Sequence, residues 1–404
     1  MTAVGERFEE TWASLAGIGR DPRSGGYRRF AWTPIDIELR DWFAGQAEGR
    51  DMAWERDRNG NQWAWWGAPA PGAVVCGSHL DSVPDGGAYD GPLGIVSAFM
   101  AVDDLRARGV EPARPIAVVN WTEEEGARFG VACLGTRLLT GVIEPEAARG
   151  LRDADGVSLE AAMRDAGPDP EAIGRDDEAL GRIGAYVELH VEQGRGLADL
   201  DAPVGVGTAV WPHGRWRMAF RGRADHAGTT RLADRRDPML PYAATVLAAR
   251  EVAERAGAVA TFGRVRVVPN GTNAIASRMD AWLDARAPDD ATVTAVVAEV
   301  TAAAERAAAE HGVAVEVGQE SYTLPVAFDA ALRGRVAGVL GGVPGLATAA
   351  GHDAAILSAR VPSAMLFVRN PTGVSHSPAE HAEAEDCVAG VRALAAVIED
   401  LAGP

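Results

Sequence analysis

Two short apolar runs, Ala73-Val74-Val75-Cys76 and Pro115-Ile116-Ala117-Val118-Val119-Asn120-Trp121, constrain this chain more than any other feature. Too short for helices, they predict strands buried on both faces. Between them lies an amphipathic segment, with Ile95, Phe99, Val102 and Leu105 on one face. Strand, helix and strand within about 45 residues make a βαβ unit, and therefore a parallel sheet. Both runs end abruptly in polar residues. The first opens into Gly77-Ser78-His79-Leu80-Asp81-Ser82-Val83-Pro84-Asp85-Gly86-Gly87-Ala88-Tyr89-Asp90-Gly91-Pro92-Leu93-Gly94. The second opens into Thr122-Glu123-Glu124-Glu125-Gly126-Ala127-Arg128-Phe129-Gly130. A third strand, Ala185-Tyr186-Val187-Glu188-Leu189-His190-Val191, runs into Glu192-Gln193-Gly194. Open α/β sheets place their sites beyond the carboxyl ends of their strands, where these clusters fall.

At 404 residues the chain exceeds one comfortable core, so two domains are expected. Helices are predicted over 7–15 and 34–46, and Asn59-Gly60-Asn61 is a hairpin turn before the strand at Trp63-Ala64-Trp65-Trp66. The acidic, Ala-rich stretch 144–182, broken by Pro168 and Pro170, reads as helical excursions on the surface. From Val210 the pattern changes. Strands at 215–221, 261–268, 280–286 and 313–317 alternate with helices at 238–256, capped by Asp237, and 290–311. That order, β-α-β-β-α-β, is ferredoxin-like. The α/β pattern then resumes with a helix near 329–340, a strand at 364–368 and a closing helix at 384–401. The fold class is thus α/β: an open, mostly parallel sheet domain over residues 1–209 and 325–404, interrupted at 210–324 by a ferredoxin-like α+β domain.

Composition excludes some partners. A net charge of -18 repels phosphate backbones and anionic headgroups, which argues against nucleic acid and membranes. The first ten residues have no apolar h-region, and no run reaches the ~20 apolar residues of a membrane helix. Cys76, Cys133 and Cys387 are scattered and odd in number, as buried small hydrophobes are in a reducing compartment. Cytoplasm is the expected location.

The strand-end clusters, with a fourth loop at Gly373-Val374-Ser375-His376-Ser377-Pro378, gather His79, Asp90, Glu124, Glu125, His190 and His376. Imidazole plus carboxylate is a ligand set for a borderline divalent ion such as zinc. Two histidines with carboxylates could serve one ion; three histidines with Asp90 and Glu125 suit a pair. Spacing leaves the roles of Glu123, Glu124 and Glu125 open, because it shows only that alternate residues leaving a strand face opposite sides.

Taken in order, GSHLDSVPDGGAYDGPLG, TEEEGARFG, ELHVEQG, RADHAGTTR, the NGTN around Asn273, LDAR around Arg286, GHDA and VSHSP resemble the amidase/hydantoinase/carbamoylase branch of the M20 zinc-peptidase clan. That branch includes N-carbamoyl-L-amino-acid hydrolases, allantoate amidohydrolases and β-ureidopropionases. The resemblance implies two divalent ions per subunit (zinc, manganese, cobalt or nickel), with His79 and His190 on one, Glu125 and His376 on the other, and Asp90 bridging. It implies Asp81 orienting His79, and Glu124 as general base and acid while a metal-bridging hydroxide attacks the substrate. It makes the inserted domain a dimerisation lid, so that a homodimer completes each site. His226 would stabilise the oxyanion, Asn273 and Arg286 would grip a substrate carboxylate, Gln193 would meet the ureido group, and His352 would line the pocket. His213, His311 and His381 are left as surface histidines. The implied reaction is hydrolysis of the ureido C–N bond of a small carboxylate such as allantoate or an N-carbamoyl-L-amino acid. An aminoacylase or dipeptidase of the same clan is the alternative, and a non-catalytic small-molecule binder is one of another class. This chain departs from the family pattern at Ala287, where a histidine is usual after the LDAR arginine. It departs also at Ala347-Thr348-Ala349-Ala350 and in the bulky Trp211-Pro212-His213-Gly214-Arg215-Trp216. These changes bear on the substrate rather than on the hydrolytic residues.

Overall fold

The computed structural model describes residues 3–403. The chain forms two compact units: one comprises the chain up to Thr208 and from Ala327 onward, the other Ala209–Val326.

The first unit is built on a nine-stranded sheet. Its centre runs Ile116–Trp121, Ala73–His79, Ile183–Val191, Ser363–Val368, all four parallel. Every residue of the strands Ala73–His79, Ile116–Trp121 and Ser363–Val368 is buried, as strands covered on both faces must be. The sheet is mostly parallel at its centre, as expected, and antiparallel pairing is found at its edges. On one side the hairpin Ala53–Arg56 and Gln62–Trp66 joins antiparallel; on the other, Val204–Val210 runs antiparallel to Ser363–Val368. Helix Pro92–Ala107 is buried nearly all round and packs on the sheet and on Ala384–Ala402, a central helix rather than a one-faced one. Because the four central strands share a direction, their carboxyl ends lie along one edge. His79, Thr122 and His190 sit at or just beyond those ends.

The stretch 144–182 is more than surface decoration. It forms helices Pro145–Arg149, Leu159–Ala166 and Asp177–Arg182. Leu159, Met163 and Ile173 from it join Trp32, Phe129, Leu134 and Leu138 in a second small core. That core underlies the segment following the glutamates.

In the second unit, strands His213–Arg221, Val259–Val268, Arg278–Arg286 and Ala314–Thr323 form an antiparallel sheet with the last strand at one edge and the second at the other. Helices Met239–Ala256 and Asp290–Glu310 pack together and bury Trp216, Met218, Phe220, Leu283 and Val300 against one face. This is the β-α-β-β-α-β arrangement. The first of these helices starts at Met239, one residue later than its sequence signal, so that Pro238 rather than Asp237 is the N-cap residue, although Asp237 Oδ1 still accepts from the Met239 N–H at 3.0 Å.

Candidate metal centre

His79 closes its strand fully buried, its Nδ1 3.0 Å from the Asp81 carbonyl oxygen. A carbonyl can only accept, so Nδ1 carries the proton and Nε2 presents a lone pair. His190 repeats the device, with Nδ1 2.9 Å from the Val191 carbonyl. Both Nε2 atoms are buried without a hydrogen-bond partner and face Asp90 Oδ1, at 3.6 Å from His79 and 3.2 Å from His190. Gly91 makes this approach possible. A Cβ there would lie 2.4 Å from the His79 ring, and its φ of 85° is one that side chains disfavour.

The other oxygen of Asp90 serves a second group. Oδ2 lies 3.3 Å from His376 Nε2, which is 3.6 Å from Glu125 Oε2. Two ligand sets result, His79–Asp90–His190 and Asp90–Glu125–His376, each with donor atoms within 4.8 Å of one another. The first is wholly buried; in the second His376 is exposed, so the site opens on that side. Nitrogen and carboxylate donors, two of them buried lone pairs with no partner, fit divalent cations. Burial opposes charge on Asp90, yet the imidazoles of His190, His376 and His79 around it hold it well below the usual carboxylate range.

The three glutamates separate cleanly. Glu123, at φ 54°, turns its Oε1 onto the backbone N–H groups of Arg128 and Phe129, at 2.9 and 2.8 Å. Asp81 accepts from the N–H groups of Glu124 and Glu125, at 3.1 and 3.0 Å, and its carboxylate also comes within 3.5 Å of His79 Nδ1. Asp81 therefore fixes the imidazole and the glutamate turn together. Glu124 lies 3.6 Å from His79 Nε2, and the Cys133 thiol donates to its other oxygen at 3.4 Å. Burial raises Glu124 well above the usual range, Glu125 to about 7 and Glu123 to about 8. Bound divalent charge would reverse the first two.

Gln193 donates to Asp90 Oδ2 at 2.8 Å and to Ser375 Oγ at 3.1 Å, so it meets the carboxylate between the two sets. His352 is buried with neither ring nitrogen partnered, its ring centroid 4.6 Å from that of His190. Burial keeps it neutral, its pKa well below the ordinary value. Sequence reasoning missed three acids. Glu188 accepts from Ser78 Oγ and the Ala354 N–H, and Asp353 accepts from Thr136 Oγ1, both fully buried. Glu380 accepts from the N–H groups of Tyr89 and Asp90. A charged residue inside the apolar strand ELHV was a readable signal for Glu188, and Asp353 stands in the stretch GHDA without a role being drawn from it; nothing local marked Glu380.

His226, Asn273 and Arg286 lie in the second unit. His226 and Asn273 are exposed and adjacent, on a two-stranded ribbon pairing Asp225–His226 with Ala274–Ile275. The Ala227 N–H donates to the Asn273 carbonyl at 3.0 Å. His226 Nδ1 accepts from the N–H groups of Gly228 and Thr229, at 3.0 and 3.2 Å, which leaves the proton of the neutral ring on Nε2, pointing outward as a donor. Arg286 places a fork on Asp284, at 2.7 and 3.1 Å. Of the histidines expected on the surface, His381 is exposed, whereas His213 is half-buried with Nδ1 3.2 Å from the Trp211 carbonyl.

Residues 75–400 match the model of peptidase family M20/M25/M40. The chain is 36% identical to an N-carbamoyl-L-amino acid amidohydrolase from Geobacillus stearothermophilus, over 98% of each chain. It is 30% identical to an allantoate amidohydrolase from Escherichia coli, over 100% of this chain and 99% of that one. A crystal structure of an amidase of the hydantoinase/carbamoylase family from Burkholderia multivorans superimposes with a TM-score of 0.86 at 32% identity, covering 99% of this chain and 98% of that one.

Proposed function

Because the chain belongs to peptidase family M20/M25/M40 and is a hydrolase acting on C–N bonds, we propose that it cleaves the ureido bond of a small carboxylate with the help of two divalent cations. The observation that carries this is Asp90, which offers one oxygen to each of two histidine–carboxylate sets. His79 and His190 would hold one cation, Glu125 and His376 the other, with Asp90 between. Such a pair polarises a carbonyl and makes water acidic near neutral pH.

The remaining chemistry belongs to side chains. Glu124 is buried beside His79 and is left outside both ligand sets, so it is free to take a proton from the attacking water and deliver it to the leaving nitrogen. Asp81 fixes where it stands by holding its N–H. The outward Nε2–H of His226 is a donor for the developing oxyanion, and Asn273 sits beside it. Arg286 can present its fork to a substrate carboxylate by exchanging Asp284. Gln193 sits where the ureido group would meet the bridging carboxylate. His352, neutral and unpartnered, lines the same space.

Two relatives named for N-carbamoyl-L-amino acids and for allantoate support a ureido substrate. Attack of water at the terminal carbonyl would break its bond to the substrate nitrogen, which leaves as the amine, and release carbamate, which decomposes to ammonia and carbon dioxide. We place the enzyme in the cytoplasm on its three unpaired, buried cysteines; among the described residues no helix is long and apolar enough to cross a membrane. The test is ammonia release by metal-reconstituted protein from a panel of allantoate and N-carbamoyl-L-amino acids. Turnover of at least one is expected. Cleavage only of N-acyl amino acids or dipeptides would transfer the protein to the aminoacylase or dipeptidase reading. Tight binding without turnover would make it a binding protein.

A further inference from the structure

We infer that Glu380 is a positioning residue for Asp90: it clamps the backbone beneath that carboxylate to the loop bearing His376, and so sets the span between the two ligand sets. The inference rests on the two-cation reading. Glu380 is 5% exposed, on a loop 290 residues along the chain from Asp90. Its Oε1 accepts two main-chain N–H bonds, from Tyr89 at 2.9 Å and from Asp90 at 3.0 Å. Its Oε2 lies 3.2 Å from Ser375 Oγ, and that hydroxyl is 3.3 Å from Asp90 Oδ2. One buried carboxylate thus grips the main chain under Asp90. Through one hydroxyl it also reaches the outer oxygen of Asp90 and the neighbour of His376.

The opposing loop is cut to receive it. A Cβ on Gly87 would lie 2.3 Å from Glu380 Oε1 and 2.4 Å from its Cδ, so no side chain can stand at 87 while Glu380 occupies this place. Asp90 must give one oxygen to each set at once, and a slide of its backbone by about 1 Å would withdraw one of them. Elements of a βαβ sheet do not fix that position by themselves, because Asp90 sits eleven residues beyond its strand in a Gly-rich loop. Glu380 supplies the missing constraint. Residues in this relation to a metal ligand typically change affinity by about 10–100-fold when lost.

The test titrates Co²⁺ into the full-length, metal-stripped protein, followed by d–d absorption and by elemental analysis after gel filtration. Wild type is expected to take up two ions. Glu380→Ala should keep one ion and bind the second about 10–100-fold more weakly. Glu380→Gln should stay close to wild type, since its Oε1 can accept the same two N–H bonds. Gly87→Ala should reproduce Glu380→Ala, because the methyl displaces the carboxylate; its metal affinities decide the question if Glu380→Ala does not fold. Melting of each metal-free variant separates a loop staple from a positioning role. A lowered melting temperature with both affinities intact overturns the proposal. Failure of Glu380→Gln to rescue overturns it too. Wild type binding fewer than two ions overturns the two-cation reading and the clamp with it, whereas two ions in wild type and undiminished binding in Glu380→Ala overturn the clamp alone.

Discussion

Three consecutive glutamates stand in three different environments, and substitution should tell apart the jobs proposed for them. Glu124→Gln is expected to lower kcat by about 10²–10⁴ with bound metal unchanged, the range for a positioned proton transfer. Glu125→Gln should instead lose one equivalent of metal. Glu123→Gln should do neither, because its amide oxygen can still accept from Arg128 and Phe129; Glu123→Ala orphans two N–H groups, at about 1–3 kcal/mol each. Steady-state kinetics, elemental analysis and melting of the set check this, and equal metal loss from Glu124→Gln and Glu125→Gln would mean that both ligate. The sequence could not make this division, since spacing along a strand end says only that neighbours diverge. The left-handed turn at Glu123 and the two amides on Asp81 make it. Protonation follows from the same crowding. Burial raises Glu125 to about 7, and the bond to Asp90 raises His376 to about 9. Both folded values exceed the unfolded ones, so their contribution to the metal-free protein is complete below the unfolded values and is lost as pH rises through about 7 and then about 9. Metal-free protein should therefore melt lower at pH 9 than at pH 6. Cations displace those protons, so calorimetric titration in buffers of different ionisation enthalpy should show proton release at pH 6.5 that shrinks above pH 9. Absence of release at pH 6.5 would contradict the ligand sets.

At the scale of elements, helix Pro34–Glu48 shows how a distant segment supports the glutamate turn. Arg40 on its buried face pairs with Asp36 at 2.7 Å, donates to the Gly60 carbonyl at 2.6 Å and to Thr122 Oγ1 at 3.2 Å, and lies over the Trp32 ring. Arg40→Met should destabilise the protein by about 3–5 kcal/mol, because Asp36 is left buried and unpaired. Urea unfolding measures it, and Asp36→Asn in the same chain should return part of the loss. The four central strands could be read directly, as apolar runs ending in charge. The strand Val204–Val210 could not: its buried Gly205 and Gly207 depress strand propensity, and pairing with Ser363–Val368 places it. Short helices such as Leu134–Thr140 and Asp353–Leu357 escaped because packing, rather than periodicity, holds segments of that length. Most candidate ligands were legible because they stand at strand ends. Glu380 was not, since its partner amides at Tyr89 and Asp90 lie in a loop far along the chain and no local pattern links them.

Over the whole molecule, charge is divided unevenly. In Ala209–Val326 fourteen arginines meet fourteen acids, so the entire net charge of -18 lies in the other unit. Two copies meeting through the inserted unit would feel little net repulsion, while a contact through the acidic unit would oppose itself. Apolar residues point the same way. Met239, Leu240 and Leu247 are 41%, 50% and 68% exposed on helix Met239–Ala256, and Leu240 and Leu247 are spaced as one helical face. A two-fold contact there would make any exchange of site residues reciprocal. His226, on the same unit with its donor turned outward, is the residue whose exchange can be tested. If the protein forms homodimers, Glu124→Ala and His226→Ala should each be nearly inactive as such. If His226 acts in the partner's site, a mixed dimer holds one site with both defects and one with neither. Random mixing makes about half the dimers mixed, so about a quarter of wild-type activity should return. If His226 acts within its own chain, every site keeps one defect and nothing returns. With subunit exchange demonstrated by differently tagged chains, mixtures that stay inactive would rule out a site shared between two subunits.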